Sequence, residues 1–247
     1  MNRHPLPAIT IERSETPDAS IIWLHGLGAD GHDFEPIVPQ LGLGDAGDAI
    51  RFIFPHAPTM PVTINGGYIM PAWYDIRHSD LSLAHDRDGI IRSAGEIQML
   101  IDREIMRGIA PQRIILAGFS QGAAMALYIG LRQSQPLGGI IALSGYLLLP
   151  EEAAAWQTAS HTTPIFMAHG VEDPIVPYAL GDQARRTLLA HQYPVTWHSY
   201  PMAHQLCQQE IAHIGGWISA LIKVPRPPAA TPESDHDDSH QPLPPQN

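Results

Sequence analysis

Cysteine is nearly absent from this chain of 247 residues, which contains a single one, Cys207. A lone thiol forms no internal disulfide, and a reducing compartment, the cytoplasm, is the simplest expectation. The first residues also lack the apolar segment of a secretory signal peptide. The longest apolar stretch, 138–149, is interrupted by Ser144 and Gly145 and is too short to span a bilayer, so we expect no stable membrane insertion.

Basic residues are also scarce, since 14 Lys and Arg stand against 25 Asp and Glu and the formal net charge is −11. An acidic surface repels phosphate groups, which argues against a nucleic-acid partner and against an electrostatic membrane anchor. Motifs that bind metals or nucleotides are missing as well: the chain has no His-Glu-x-x-His, no paired cysteines and no Walker pattern. We therefore expect neither a metal nor a cofactor.

Hydrophobic residues make up 44% of the chain and charged residues 16%, the balance of a globular protein with an ample core. The composition changes abruptly near the end, where 225–247 is rich in proline and acidic residues and poor in core-forming ones. Such a segment cannot bury enough apolar surface to fold, so we predict a disordered tail there. The remaining residues, 1–224, are predicted to form one folded domain.

Segments typical of strands and of helices alternate along this domain. Strands are predicted at 8–12, 20–25, 50–54, 113–118, 138–143, 164–168 and 194–199, and helices at 33–41, 86–107, 121–132, 178–191 and 205–222. The clearest helix is 86–107, in which apolar residues from Ile90 to Ile105 recur every three or four positions. Alternation of this kind predicts an α/β fold with a mostly parallel, twisted sheet covered by helices on both faces.

Two parts of this pattern are less regular. The first two strands are separated only by a short link, which favours an antiparallel pair at one edge of the sheet. Segment 56–85 is rich in Pro, Gly, Trp and Tyr, lacks a sustained period and is long for a structureless connection. Connections of that length usually serve a function, so we expect a lid or a binding loop.

The chemically informative stretch is 113–124, which reads Arg-Ile-Ile-Leu-Ala-Gly-Phe-Ser-Gln-Gly-Ala-Ala. It joins a buried strand to a helix through a Gly-x-Ser-x-Gly elbow, a turn that holds a serine hydroxyl out for nucleophilic attack. Ser120 is therefore the candidate nucleophile, with Gly118 and Gly122 on either side. The pattern alone arises by chance in about one such chain in ten, so its context between strand and helix is what gives it weight.

A serine nucleophile needs a base, and the base needs a carboxylate to orient it. Elbows of this kind are followed in chain order by Asp or Glu and then by His, each on a loop after a strand. Asp173 follows the sixth predicted strand, with the adjacent Glu172 as its rival, and His204 follows the seventh. His169 precedes the acid and is predicted to have a packing role, while His213 lies along the last helix.

Acyl transfer also needs hydrogen-bond donors for the developing oxyanion. One donor in this fold is the backbone N–H of the residue after the nucleophile, here Gln121. The other comes from the loop after an early strand, here the glycine-rich segment 25–30, in which we assign the backbone N–H of Leu27. The alternative is a purely structural glycine turn, but the loop follows the right strand and begins with His-Gly, as in lipases.

Several separate motifs resemble the phospholipase/carboxylesterase family, which includes bacterial carboxylesterases and acyl-protein thioesterases. These stretches are Gly118-Phe-Ser-Gln-Gly, His25-Gly-Leu-Gly-Ala-Asp, Ala72-Trp-Tyr-Asp-Ile, Gly170-Val-Glu-Asp-Pro-Ile-Val-Pro and Pro61-Val-Thr-Ile-Asn-Gly-Gly-Tyr, and the likeness spans about 8–222. The resemblance implies an α/β-hydrolase fold without a large cap domain. It also implies an enzyme that cleaves esters or thioesters of short to medium acyl chains. One departure is Gln205-Leu206 after the histidine, where the family usually has Ser-Val.

The family's site residues carry over by motif. The resemblance implies a catalytic triad of Ser120, Asp173 and His204, and an oxyanion hole formed by the amides of Leu27 and Gln121. It also implies an acyl pocket walled in part by Trp73 and Val176. A homodimer is compatible with the resemblance, although no pattern in the chain indicates one.

The sequence thus predicts a serine carboxylesterase that acts through an acyl-enzyme on a small-molecule acyl ester. Within the same chemistry, a lysophospholipase or an acyl-protein thioesterase is the alternative. A serine peptidase is disfavoured, because nothing indicates a propeller or cap domain that would select peptides. A catalytically inactive binding protein with this fold would have lost one of the three catalytic residues, and all three positions are filled.

Overall fold

A computed structural model describes residues 6–223. The predicted tail 225–247 lies outside the described residues. The strands of the model are β1 (Ala8–Ile11), β2 (Ala19–Leu24), β3 (Ile50–Pro55), β4 (Thr59–Val62), β5 (Tyr68–Pro71), β6 (Ile114–Phe119), β7 (Gly139–Leu143), β8 (Ile165–Gly170) and β9 (Val195–Tyr200). The helices are α1 (Arg87–Met106), α2 (Gln121–Gly130), α3 (Tyr178–Ala190) and α4 (Gln208–Ile222), with short 3-10 helices between them.

Seven strands form one twisted sheet in the order β1-β3-β2-β6-β7-β8-β9. Every neighbouring pair is parallel except β1 and β3, which are antiparallel. The expected α/β-hydrolase class is therefore confirmed, and the described residues contain no separate cap domain. No helix within 6–223 is both long enough and apolar enough to span a bilayer.

The expectation that the first two strands pair with each other is wrong. β1 pairs instead with β3, where Ile9 lies opposite Phe54, and β2 lies in the interior of the sheet between β3 and β6. The burial of the strands explains the difference: every residue of β2 is buried, which requires neighbours on both sides, whereas β1 is only partly buried and lies at the edge. The short link between them therefore crosses from the edge to the interior.

The two faces of the sheet build two cores. Along β2, Ile22 and Leu24 pack into the layer formed by α1, α2 and α3, while Ile21 and Trp23 pack on the opposite side with α4 and the 3-10 helix Glu35–Leu41. This alternation follows from the two-residue period of a strand, and apolar residues on both faces make β2 a continuous hydrophobic run. Because β2, β3 and β6 to β9 are parallel, their carboxyl ends meet at one edge of this sheet, which packing on both faces makes a rigid platform.

The long connection 56–85 is more ordered than its sequence indicates. Its first part forms an antiparallel hairpin of β4 and β5, with Met60 opposite Met70, and Tyr68 at the tip is 70% exposed. Its middle part, Ala72 to Tyr74, is buried, and Trp73 and Tyr74 belong to the core layer of α1 and α2. Asp86 is the N-cap of helix α1, and its side chain accepts a hydrogen bond from the N–H of Gly89.

Candidate active site

The elbow between β6 and α2 places Ser120 at the carboxyl edge of the sheet. Ser120 has φ 56° and ψ −118°, a left-handed conformation that L-residues rarely adopt. Its N–H donates to Leu143 O of the neighbouring strand at 2.9 Å, and its carbonyl accepts from the N–H of Ala124 in α2 at 3.1 Å. Backbone bonds on both sides therefore hold the hydroxyl at the top of the turn.

The two glycines of the elbow are required by backbone contacts. A Cβ at Gly118 would lie 2.3 Å from the carbonyl of Gly122, and a Cβ at Gly122 would lie 2.3 Å from Leu24 O. Both distances are far below any real Cβ contact, and the obstructing atoms are main chain rather than movable side chains. The spacing Gly-x-Ser-x-Gly is thus the spacing at which strand, turn and helix come into direct contact.

Asp173 lies in the loop after β8 and is buried, whereas its rival Glu172 is exposed. One carboxylate oxygen of Asp173 accepts the N–H groups of Ile175 and Val176, each at 2.9 Å. The other oxygen bonds to Nδ1 of His204 at 2.6 Å. Two amides therefore fix the plane of the carboxylate and aim its free oxygen at the imidazole.

His204 lies in the loop between β9 and α4, and its ring packs against the ring of Phe119 with centroids 4.7 Å apart. Phe119 precedes Ser120, so the imidazole is brought close to the candidate nucleophile. With Nδ1 bound to Asp173, Nε2 is the nitrogen left for the serine. No hydrogen bond joins Ser120 and His204 among the described residues, and in serine hydrolases without substrate this contact is often long and tightens on binding.

His169, which the sequence assigns to packing, lies near the same oxygen of Asp173 that bonds to His204. It is 1% exposed, its Nε2 donates to Val176 O at 2.9 Å, and the same nitrogen is 3.5 Å from Asp173 Oδ2. Burial lowers the pKa of His169 and favours the neutral ring. His169 thus supports the loop that carries Asp173. His213, by contrast, lies on α4 and bonds through Nδ1 to the hydroxyl of Tyr200.

The loop after β2 carries Leu27 past the elbow. An added Cβ at Gly26 would be 3.5 Å from the Cβ of Ser120, so loop and nucleophile are in van der Waals range. His25 holds the loop through both ring nitrogens: Nε2 accepts the N–H of Ala57 at 3.0 Å, and Nδ1 therefore carries the proton donated to Gly26 O at 2.7 Å. Burial lowers the pKa of His25, which keeps the ring neutral.

The hydrogen bond from His25 aims the neighbouring amide. Gly26 C=O and Leu27 N–H belong to one trans peptide, in which they point in opposite directions. Holding the carbonyl against His25 therefore directs the N–H of Leu27 the other way. Gly26, Gly28 and Gly31 also have the Gly-x-Gly-x-x-Gly spacing of dinucleotide loops, but the loop is followed by a 3-10 helix at Glu35–Leu41 and not by the α-helix that would receive a pyrophosphate.

The two residues predicted to wall the acyl pocket have almost no exposed surface. Trp73 is fully buried and its indole N–H donates to His25 O at 2.9 Å. Val176 is 1% exposed, and its backbone bonds to Asp173 and His169. Both lie close to the site, but in this conformation they contact the residues around it rather than open space.

Glu210, which no sequence motif singles out, is an unusual ionisable group on α4, the helix that follows His204 in the chain. It lies in the first turn of α4, is fully buried and has no hydrogen-bond partner for either carboxyl oxygen among the described residues. Burial raises its pKa from 4.5 to about 8. The sequence signal was weak, since a glutamate early in a helix is usually a solvated or capping residue.

Stability is expected to fall as the pH rises from about 6.5 to about 8, because Glu210 keeps its proton in the folded protein up to about pH 8 and loses it in the unfolded chain near 4.5. In this range the buried His25 and His169 are neutral in the folded protein and largely neutral in the unfolded chain, so Glu210 sets the slope, and the free energy of unfolding falls by up to about 1.4 kcal/mol per pH unit. Urea unfolding at several pH values measures this slope. Glu210→Gln should flatten it, while the exposed Glu151→Gln should not; equal slopes in both variants would contradict the assignment.

Comparisons with known proteins find similar sequences and similar folds. The family model described as Phospholipase/Carboxylesterase matches residues 7–222. Acyl-protein thioesterase 1 of Neurospora crassa is 40% identical over 225 residues, covering 87% of this chain and 92% of the relative, and that of Yarrowia lipolytica is 34% identical over 224 residues, covering 89% and 99%. The crystal structure of Arabidopsis thaliana SOBER1 superposes with a TM-score of 0.79 at 29% identity, covering 83% of this chain and 99% of that one. Zea mays acyl-protein thioesterase 2 gives 0.76 at 26% identity, covering 87% and 99%.

Proposed function

This chain belongs to the phospholipase/carboxylesterase family and is a serine hydrolase, and we propose that it is a carboxylesterase for short- to medium-chain acyl esters. In this proposal Ser120, His204 and Asp173 form the triad, and the amides of Leu27 and Gln121 form the oxyanion hole. One contact supports it above all, the 2.6 Å hydrogen bond between Asp173 and His204. The imidazole of His204 also packs against Phe119, the residue that precedes Ser120.

The reaction proceeds in two steps of acyl transfer. Nε2 of His204 takes the proton of Ser120 as its oxygen attacks the ester carbonyl, and Asp173 remains ionised and stabilises the imidazolium. The Leu27 and Gln121 amides bind the oxyanion of the tetrahedral intermediate, where losing one such donor costs about 3–4 kcal/mol. His204 then protonates the departing alcohol. Water deprotonated by His204 attacks the acyl-enzyme, and the acid leaves as Ser120 recovers its proton.

The closed packing of the predicted pocket walls supports a short acyl chain. Trp73 and Val176 are buried and contact neighbouring residues, so a long chain would require side chains to move.

Thioester cleavage is the second candidate, and the names of the curated relatives favour it, since those from Neurospora crassa and Yarrowia lipolytica are called acyl-protein thioesterase 1. The same machinery serves both bonds. A thiol leaving group, with a pKa of about 8.5, departs more readily than an alcohol and depends less on protonation by His204. The acyl chain and the leaving group are therefore separate questions.

A matched substrate series tests the proposal. We expect kcat/KM for p-nitrophenyl esters to peak between acetate and octanoate and to fall toward palmitate. We also expect kcat/KM for oxygen esters to be similar to kcat/KM for the corresponding thioesters. A rise in kcat/KM through palmitate, together with a preference for palmitoyl thioesters, would replace the esterase by the thioesterase.

The nucleophile is tested on the same preparations with a fluorophosphonate. Its phosphorus forms a bond to the Oγ of the active serine and fluoride leaves, so activity should vanish as one phosphonyl group appears on the peptide containing Ser120. Heat-unfolded protein serves as the control and should not react. Folded protein that hydrolyses esters but carries the label on another residue would contradict the proposed triad.

A further inference from the structure

The segment Pro71–Tyr74, which leads from the hairpin into the core, contacts the carriers of both oxyanion amides. We propose that Trp73 and Gln121 are positioning residues, whose side chains set the separation of the Leu27 and Gln121 amides. The segment Pro71–Tyr74 and the side chain of Gln121 together form an oxyanion bracket, which includes the side chain of Trp73. The inference rests on the proposed function and assigns Trp73 a different role from an acyl-pocket wall.

The Gln121 side chain ties the start of α2 to the segment. Its Oε1 accepts the backbone N–H of Trp73 at 2.9 Å, and its Nε2 donates to Tyr74 O at 2.8 Å. The side chain is buried, so both bonds are shielded from water. Because the same residue supplies one oxyanion amide, these bonds fix that amide relative to the segment.

The other side of the bracket holds the loop that carries Leu27. The indole N–H of Trp73 donates to His25 O at 2.9 Å, and Pro71 O accepts the N–H of Gly28, also at 2.9 Å. The loop is thus held by hydrogen bonds at His25 and at Gly28, on either side of the peptide that carries the Leu27 amide. The indole also packs on the imidazole of His25, with ring centroids 5.1 Å apart, which keeps that ring in the position where it aims the amide.

The bracket is in turn fixed to the core. The hydroxyl of Ser93 in α1 donates to Trp73 O, and Trp73 is fully buried. A residue that walled a substrate pocket would expose part of its surface and would have no need for this set of main-chain bonds. The bonds instead join two amides that lie more than ninety positions apart in the chain, on separate elements, through one short segment. Preorganised donors of this kind must be held to within a fraction of an ångström, because misplacement by about 1 Å costs about 100-fold in rate.

Trp73→Phe and Gln121→Met test the bracket: the first keeps an aromatic ring, the second keeps the length of the side chain, and each removes the side-chain hydrogen bonds. Each is expected to lower kcat by about 10–100-fold with KM changed less than about threefold. Affinity for a trifluoromethyl ketone, which forms an oxyanion on addition of Ser120, should fall in the same proportion. Trp156→Phe is the matched control, because its buried indole N–H has no partner among the described residues.

The controls separate this inference from the proposed function. The concentration of active sites is titrated with fluorophosphonate, and kcat is calculated per titrated site. If the two side chains had a merely structural role, their replacement would lower the number of active sites but leave kcat per site unchanged. If Gln121→Met fails to fold, Trp73→Phe decides the question. Folded variants with kcat and ketone affinity equal to those of Trp156→Phe overturn the bracket. Wild-type protein that does not react at Ser120 overturns the proposed function instead.

Discussion

Replacement of Ser120 by alanine is expected to lower kcat for the best ester substrate by about a million-fold, with the fold intact. In the proposed mechanism the loss is this large because the attacking oxygen disappears, and neither the proposed base His204 nor the proposed oxyanion amides can supply a covalent intermediate. The residual rate would come from binding and from the amides acting on a water molecule. Steady-state kinetics with p-nitrophenyl esters measure the effect, and circular dichroism reports the fold.

Ser144 provides a closely matched control. It also directly follows a strand, β7, has a positive φ of 48° and is buried, and its hydroxyl has no partner among the described residues. Ser144→Ala should keep activity within a few-fold of the wild type. Retention of more than about one hundredth of the activity in Ser120→Ala would mean that another group attacks the substrate.

Gly122→Ala is expected to destabilise the protein by at least about 3 kcal/mol, or to prevent folding, although alanine is the better helix former. The added Cβ would lie 2.3 Å from Leu24 O and 2.6 Å from His25 O, so β2 and α2 would have to move apart. This displacement also shifts the loop that carries Leu27, and we expect the folded fraction to lose activity. Chemical denaturation measures the free energy of unfolding, and kinetics per titrated site measure the second effect.

Gly216 is the corresponding control on a helix with open space. It lies in the middle of α4, and nothing lies within 4 Å of where its Cβ would be. Gly216→Ala should therefore stabilise the protein by about 0.5–1 kcal/mol, because alanine restricts the unfolded chain and favours the helix. If both substitutions changed stability in the same direction, the close contact at Gly122 would not be what requires the glycine.

Local patterns in the sequence were enough to predict most of the platform. The strand before Ser120 and the helix after it were recognisable because apolar runs and helical periodicity are local properties. The predicted helix 86–107 corresponds to α1, although Ile105, assigned to its apolar face, is 40% exposed, and Glu104 is buried in its place. The candidates Asp173 and His204 could be chosen because chain order and strand ends determine which loops meet at one edge of a parallel sheet.

Long-range contacts decided what the sequence could not predict. Partner choice among strands depends on which edge the chain returns to, and nothing local to β1 indicated that it pairs with β3. The hydrogen bonds of Trp73 and Gln121 join residues 48 positions apart, so their side chains carried only a motif signal. Glu210 gave only a weak signal, because burial of a carboxylate depends on how α4 packs and not on its neighbours in sequence.

The backbone at Ser120 has one further consequence. A non-glycine residue held at φ 56° stores strain of about 1–3 kcal/mol, which the bonds to Leu143 and Ala124 must offset in the folded state. Glycine at this position would release that strain and give a more stable protein with no nucleophile. Reactivity and thermodynamic stability therefore oppose each other at the elbow, and a more robust version of this enzyme has to be built from substitutions at distant sites such as Gly216.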